Sequence, residues 1–184
     1  AQSILQGSTV GGSVNMTFVK PQYSLTSKSL WQIKSGFDSG SQERKISFSG
    51  QRQNQNAALS INGAYRKAEN YSDAQGAEIP FSGFEKMNLN LGYKRRLNEK
   101  TQLYFEMITD DAYDIGYAAL PMDVGYATMR MLGISINSAN VTPNLLKLEW
   151  KIYGNAVDHW MDDSNREILF MNMHMEMPGF TRTA

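Results

Sequence analysis

The chain has 184 residues with 18 basic and 18 acidic side chains, so its net charge gives no reason to expect a nucleic-acid partner. It contains no cysteine, which excludes a disulfide framework and any thiolate-based metal or redox chemistry. No stretch approaches the roughly 18 to 20 consecutive apolar residues that a membrane-spanning helix needs. A helical span is therefore excluded. A transmembrane β-barrel remains possible, because its strands place apolar residues only at every second position.

From residue 28 onward the apolar residues recur with a period close to two, which predicts β-strands rather than helices. The clearest case is EKMNLNLGYKRR, whose apolar side chains occupy alternate positions: Met87, Leu89, Leu91 and Tyr93. Seven segments share the pattern: 29–37, 43–51, 57–67, 85–96, 101–107, 128–136 and 145–154. Most have about the 9 to 11 residues with which a tilted strand crosses a bilayer.

The connections between these segments alternate in length. Short polar turns are predicted at 54–56, 97–100 and 137–143, and long connections at 69–83, 109–125 and 155–180. The exception is 38–42, which is short for its place in the series. Outer-membrane barrels combine short periplasmic turns with long outer loops in this way. A soluble antiparallel sandwich also has alternating strands, but the strand lengths and the regular connections favour a barrel.

A glycine-dense stretch, SILQGSTVGGSVNMTFVKP (3–21), precedes the first predicted strand. It resembles the end of the plug domain of TonB-dependent outer-membrane receptors, where a segment of the type vLyGsgaiGGviNiitk leads into the first barrel strand. The matching positions are Leu5, Gly7, Ser8, Gly11, Gly12, Val14, Asn15 and Lys20. Glycine permits positive φ and close approach of the backbone, as expected where a plug strand turns against a barrel wall.

The resemblance implies an all-β protein in which residues 1–22 are the C-terminal end of a plug. Residues 23–184 would then be the N-terminal part of an antiparallel transmembrane β-barrel, one segment of a large plugged barrel. Such a receptor lies in the outer membrane of a Gram-negative bacterium and imports a scarce ligand with energy delivered by TonB. The expected partners are outer-membrane lipid, the remainder of the receptor and the TonB complex, which would bind a segment absent from these 184 residues.

Both histidines and five of the eleven methionines gather near the carboxyl end. Thioether and imidazole are soft ligands that suit copper, especially Cu(I). We therefore predict a metal site, with copper as the bound or transported ligand, made from His159, Met161, Met171, Met173, His174, Met175 and Met177. Together with YAALPMDVGY (117–126), this cluster is similar to a copper-handling subgroup of the receptors, in which Met and His line the outer loops.

Two other interpretations of this region stay open. If 169–177 is one strand, its methionines share one face and would pack against lipid or core, since methionine fills apolar gaps readily. The acidic runs could bind calcium through oxygen, although a solvated loop face is favoured. These runs comprise Asp110, Asp111, Asp114, Asp162 and Asp163.

No Ser/His/Asp triad, phosphate-binding loop or catalytic pair of carboxylates is present, so an enzyme is not predicted and no other cofactor is expected. Two alternatives to the receptor remain. One is a complete eight-stranded outer-membrane barrel with a structural or adhesive role, closed by residues 168–183. The other is a soluble β-sandwich that serves as a binding module.

Overall fold

The computed structural model describes residues 20–166, 169–170, 173–174 and 178–183, with only the backbone path described for 169–170 and 173–174. These residues form β-strands and turns. The strands are β1 (Lys28–Asp38), β2 (Glu43–Gln53), β3 (Ala57–Ala68), β4 (Phe84–Arg96), β5 (Thr101–Ile115), β6 (Asp123–Thr142), β7 (Leu145–Asp162), β8 (Leu169–Phe170), β9 (Met173–His174) and β10 (Gly179–Thr183). No helix in this part of the chain is long and apolar enough to cross a membrane.

Eight strands form one antiparallel sheet in the order β1-β2-β3-β4-β5-β6-β7-β10, and β8 and β9 form a separate hairpin. The seven predicted strands are confirmed as β1 to β7, and the residues GFTRTA contain β10. In the described residues β1 pairs with β2 alone and β10 with β7 alone, so the sheet is open. The alternative of an eight-stranded barrel closed by residues 168–183 is therefore wrong, because β8 and β9 pair with each other and leave only a five-residue β10.

The two faces of the sheet differ in chemistry. Side chains opposite one another across an antiparallel pair share a face, and the register collects the predicted apolar positions on one side, called here the apolar face. Many of its side chains are exposed, including Ile33, Ile46, Phe48, Met87, Leu132, Ile134, Leu148, Trp150 and Ile152. A β-sandwich would cover such a face with a second large sheet, whereas the described strands form one eight-stranded sheet and one two-stranded hairpin.

The other side, called here the polar face, carries mainly Gln, Asn, Ser, Lys and Glu side chains. Most of the buried residues in the strands lie on it: Ala58, Ser60, Ala68, Tyr104, Ile108, Ala112 and Ser135. Side chains crowd on the concave side of a curved sheet and spread apart on the convex side. The burial pattern therefore indicates that the sheet curls with the polar face inside.

The exposed apolar side chains of the apolar face form a band, called here the apolar belt, that runs diagonally across the strands. Following paired residues from Ile33 in β1 gives the row Phe48, Gly63, Leu89, Thr109, Arg130 and Ala156. The row therefore leaves the apolar belt between Leu89 of β4 and Thr109 of β5. In β7 it reaches Ala156, which lies on the loop side of the apolar residue Ile152. Strands that are tilted against a level belt produce this drift, and tilt is the geometry that closes a sheet into a barrel.

Several predicted connections are shorter in the structure because the strands extend beyond their apolar parts. β5 continues through polar residues to Ile115 and β6 begins at Asp123, so the predicted connection 109–125 shrinks to 116–122. β7 likewise continues to Asp162, and the turn predicted at 137–143 consists of residues 143–144. Backbone pairing does not require apolar side chains, so hydrophobic periodicity alone misplaces these ends. The alternation of short and long connections is unaffected.

Candidate functional site

One arginine joins the long connections 69–83, 116–122 and 163–178 at one end of the sheet, called here the loop end. Arg166 donates through Nε to Asp123 Oδ2 at 2.9 Å and through Nη2 to Asp123 Oδ1. It also donates to the carbonyl oxygens of Tyr117, at 2.8 Å, and Leu120. Its guanidinium carbon lies 4.1 Å from the centroid of the Phe81 ring. A single charged group therefore fixes residues from all three connections.

The connections also meet backbone to backbone. Gly116 N donates to Gly83 O at 3.0 Å, and a Cβ at Gly116 would lie 2.4 Å from the carbonyl carbon of Phe81. Phe81 and Asp114 have φ angles of 58° and 49°, in the left-handed region that side chains other than glycine rarely adopt. Strained backbone of this kind persists only where surrounding contacts hold it in place. The backbones of connections 69–83 and 116–122 are therefore closely packed against each other.

A hollow of about 280 Å³ opens between the three connections. Its lining is rich in carboxylate and amide side chains: Asn70, Pro80, Phe81, Gly83, Asp114, Gly116, Asp123, Val124, Gly125, Asp162 and Asn165. The volume lies just below the range of about 300 to 1,000 Å³ that holds drug-sized ligands. It can therefore admit only a small solute or part of a larger one.

Most of the acidic residues considered for calcium have other partners. Asp110 pairs with Lys86 at 3.2 Å, Asp111 with Arg130 at 2.6 Å, and Asp162 accepts from Trp160 Nε1 at 2.7 Å. Within the described ranges no group of three or more His, Cys, Asp or Glu side chains is placed to hold a metal ion. The structure thus gives these acids partners within the protein, and the calcium alternative gains no support.

Two of the predicted metal ligands lie at the loop end. His159 and Met161 are half-buried at alternate positions of β7, so the strand directs them to the same face, the polar one. Gly179 of β10 is the partner of Met161 in the register, and Thr181 is the partner of His159. The structure therefore brings one imidazole and one thioether to the inner side of the sheet.

The remaining predicted ligands are only partly described. Met173 and His174 form β9, paired with Phe170 and Leu169 of β8. Met171, Met175 and Met177 lie outside the described residues. Because 169–170 and 173–174 pair with each other, the described residues of this region do not lie on one continuous strand.

Two methionines absent from the predicted set lie near its described members. Met122, on connection 116–122, has its Cε 3.9 Å from the position of a Cβ on Gly179, the partner of Met161. Met129 of β6 pairs with Val157, and it therefore lies diagonally across from His159 on the polar face. Alternation along TMRMLGISI could have revealed that Met129 faces inward. Only the folded connection brings Met122 to β10.

The first described residues, before β1, contact the polar face. Pro21 is buried, with its Cδ 3.2 Å from the position of a Cβ on Gly92. The Tyr23 ring lies 4.7 Å from Lys94 Nζ and 5.0 Å from the Arg96 guanidinium carbon. Gly92, Lys94 and Arg96 all belong to the polar side of β4. The chain thus reaches β1 from the concave side of the sheet.

No protein-family model and no curated protein sequence matches the chain. Among solved structures it is similar to a chain described as "Copper transporter OprC", with a TM-score of 0.71 and 22% sequence identity. The match covers 89% of the present chain but only 25% of that transporter, so the chain spans a quarter of its length. At this identity the similarity shows the fold alone. The predicted fold class, an open segment of an antiparallel β-barrel, is confirmed.

Proposed function

We propose that the chain forms part of the wall of a TonB-dependent receptor in the outer membrane of a Gram-negative bacterium. The observation that carries the proposal is the exposed apolar face opposite a polar, concave face on tilted strands. Exposed apolar patches wider than a few hundred Å² mark sites of interaction, and an outward apolar band with a polar interior is the pattern of transmembrane barrels. Outer-membrane lipid is accordingly the first partner.

The open edges support a larger assembly. β1 and β10 each leave one edge unpaired within the described sheet, and unpaired edges invite further strands. We infer that the remainder of the receptor pairs with both edges and completes the barrel. The contacts of Lys20, Pro21 and Tyr23 with polar-face residues support the assignment of residues 1–22 to the end of a plug held inside that barrel. TonB would contact a part of the receptor beyond these residues.

We further infer that the receptor imports a metal and that copper is its cargo. The support is the soft ligand set, of which His159 and Met161 lie at the loop end on the inner face. Met173 and His174 belong to the hairpin that follows β7. The similar solved structure is also that of a copper transporter. Loops that take up a scarce metal ion at the outer surface would need such ligands before the ion enters the barrel.

Two neighbouring residues of β7 provide the test of the membrane assignment. Ile152 is 58% exposed on the apolar face, and Tyr153 is 66% exposed on the polar face. An arginine on the lipid side of a barrel costs about 2 to 4 kcal/mol near the bilayer midplane, whereas an arginine toward the lumen costs little. We expect I152R to lower the amount of chain in the outer-membrane fraction several-fold and Y153R to leave it near wild type.

The natural gene should carry each substitution, so that the chain is made with whatever sequence surrounds it in the cell. Equal behaviour of the two variants would contradict the membrane assignment, because two similarly exposed positions on a water-soluble sheet tolerate arginine alike. A wild-type chain found in the soluble fraction would contradict it directly.

A further inference from the structure

Three ion pairs form a row on the outward side of the sheet at the loop-end border of the apolar belt. They are Lys67–Glu85 at 3.2 Å, Arg130–Asp111 at 2.6 Å and Arg182–Asp158 at 2.6 Å. Each pair links two neighbouring strands, β3 to β4, β5 to β6 and β7 to β10. We call these six residues the outer rim.

The positive member of every pair is the more exposed one. Arg130 is 50% exposed against 6% for Asp111, Arg182 67% against 30% for Asp158, and Lys67 49% against 32% for Glu85. Arg44 lies on the same face, opposite Lys67 in the register, and is also exposed. The carboxylates thus lie beneath the cations and hold them in place, so the more exposed charges of the rim are the positive ones.

Aromatic side chains lie at the same level. The register places Tyr113, Tyr126, Trp160 and Phe180 in one row on the outward side of β5, β6, β7 and β10. The rings of Trp160 and Phe180 are in contact, with centroids 6.3 Å apart. Tyrosine and tryptophan concentrate where a membrane meets water. The rim therefore lies at the depth of lipid head groups.

We propose that the outer rim binds the phosphate groups of lipids in the leaflet on the loop side of the membrane. The proposal rests on the proposed membrane function and adds a lipid chemistry to it. A guanidinium fork matches phosphate oxygens in two-pronged geometry. Arg182 donates to Asp158 through Nε and Nη2, which leaves its Nη1 group to donate to a phosphate oxygen. The buried or half-buried carboxylates restrain each cation and lower the entropy that a lipid phosphate would otherwise have to overcome.

The test compares cations on the two faces. Lys67 and Arg182 are suited to substitution because their carboxylate partners are about one-third exposed and tolerate the loss. The variant with K67Q and R182Q is compared with a control carrying K34Q and K45Q, which removes two exposed cations from the polar face. Protein purified from the outer membrane is mixed with diphosphoryl lipid A or with its dephosphorylated form, and bound lipid is counted by native mass spectrometry.

We expect the wild type and the polar-face control to retain the phosphorylated lipid in preference to the dephosphorylated one. The rim variant should bind the phosphorylated lipid about 25-fold more weakly, since each cation near a charged lipid surface contributes about a fivefold gain. An excess of inorganic phosphate should displace little lipid, because free phosphate lacks the apolar contact with the belt.

Equal retention of both lipids by the wild type would overturn the proposal, and that comparison needs no variant. So would an equal loss in the polar-face control, or complete displacement by inorganic phosphate. Failure of the membrane function is distinguishable, because the chain would then be missing from the outer-membrane fraction before any lipid is added.

Discussion

Arg166 and Asp123, 43 residues apart in the sequence, form a charged pair in which both carboxylate oxygens accept from one guanidinium. Asp123 opens β6, and Arg166 follows the end of β7. Only 11% of the Arg166 side chain and 12% of the Asp123 side chain are exposed. The connection that carries the methionine-rich segment is therefore fastened at its start to the preceding long connection.

Replacing Arg166 by glutamine should loosen this end of the sheet. The substitution leaves the Asp123 carboxylate enclosed without its cation, and breaking one side of such a pair costs about 3 kcal/mol. The amide of Tyr117 donates to Asp123 Oδ1 at 3.1 Å, so its hydrogen exchange should become about a hundredfold faster or more. R182Q is the control, since Arg182 is 67% exposed and a solvent-exposed ion pair contributes little to stability. Similar acceleration in both variants would show that enclosure does not matter.

Gly116 should not tolerate alanine. The added methyl group would lie 2.4 Å from the carbonyl carbon and 2.6 Å from the carbonyl oxygen of Phe81, and backbone atoms cannot yield as a side-chain end can. Overpacking of this kind costs about 1 to 3 kcal/mol. G154A is the matched control, because a Cβ at Gly154 meets nothing within 4 Å. Thermal unfolding in detergent should show a lower midpoint for G116A and no loss for G154A. Equal midpoints would mean that the two connections separate freely.

The strands were predictable because their burial is two-sided. Leu89 lies on the apolar face and its neighbour Asn90 on the polar face. Apolar and polar residues therefore alternate along the strand, and this period of two is visible in the sequence. The strand ends were not predictable, since β5 continues beyond residue 107 through charged residues such as Asp111, which pairs with Arg130 of β6 rather than making apolar contacts. From sequence alone, charged residues of this kind predict a loop, because the ion-pair partner on the neighbouring strand is not known.

The site was predictable in composition but not in arrangement. The density of Met and His near the carboxyl end was visible, and alternation places His159 and Met161 on one face. Two contacts depend on how the connections fold over one another. They are the approach of Met122 to Gly179 of β10 and the ion pair between Arg166 and Asp123. Contacts between residues far apart in the chain leave no local periodicity, so a single sequence does not reveal them.

We expect the stability of the loop end to depend on the protonation of Asp162 at acidic pH. The indole N–H of Trp160 and then the hydroxyl of Ser164 donate to its carboxylate and hold its pKa below the ordinary value of 3.8. A group with a lowered pKa in the folded state stabilises fully above its ordinary value and loses that contribution as the pH falls through the lowered one. The fluorescence of Trp160, with Trp31 and Trp150 replaced by phenylalanine, should therefore change only below about pH 4.

The titration of Asp162, followed by carboxyl NMR in each variant, ranks its two side-chain donors. W160F should raise the pKa of Asp162 more than S164A does, because the indole makes the larger contribution. A larger effect of S164A would contradict the geometry at this corner.

Copper binding tests the ligand set in which His159 and Met161 are the described members. Cu(I) is titrated into the wild type, into a variant with H159A and M161L, and into one with H159A, M173A and H174A. Soft ligands bind Cu(I) through sulfur and imidazole nitrogen, so both variants should bind more weakly and the triple variant most. The control is M87L, which removes a thioether that is 49% exposed on the apolar face and lies outside the set. Identical weak binding in all four proteins would leave methionine as ordinary packing and would remove copper from the proposed function. A loss confined to the triple variant would place the ion in the hairpin and exclude β7 from the site.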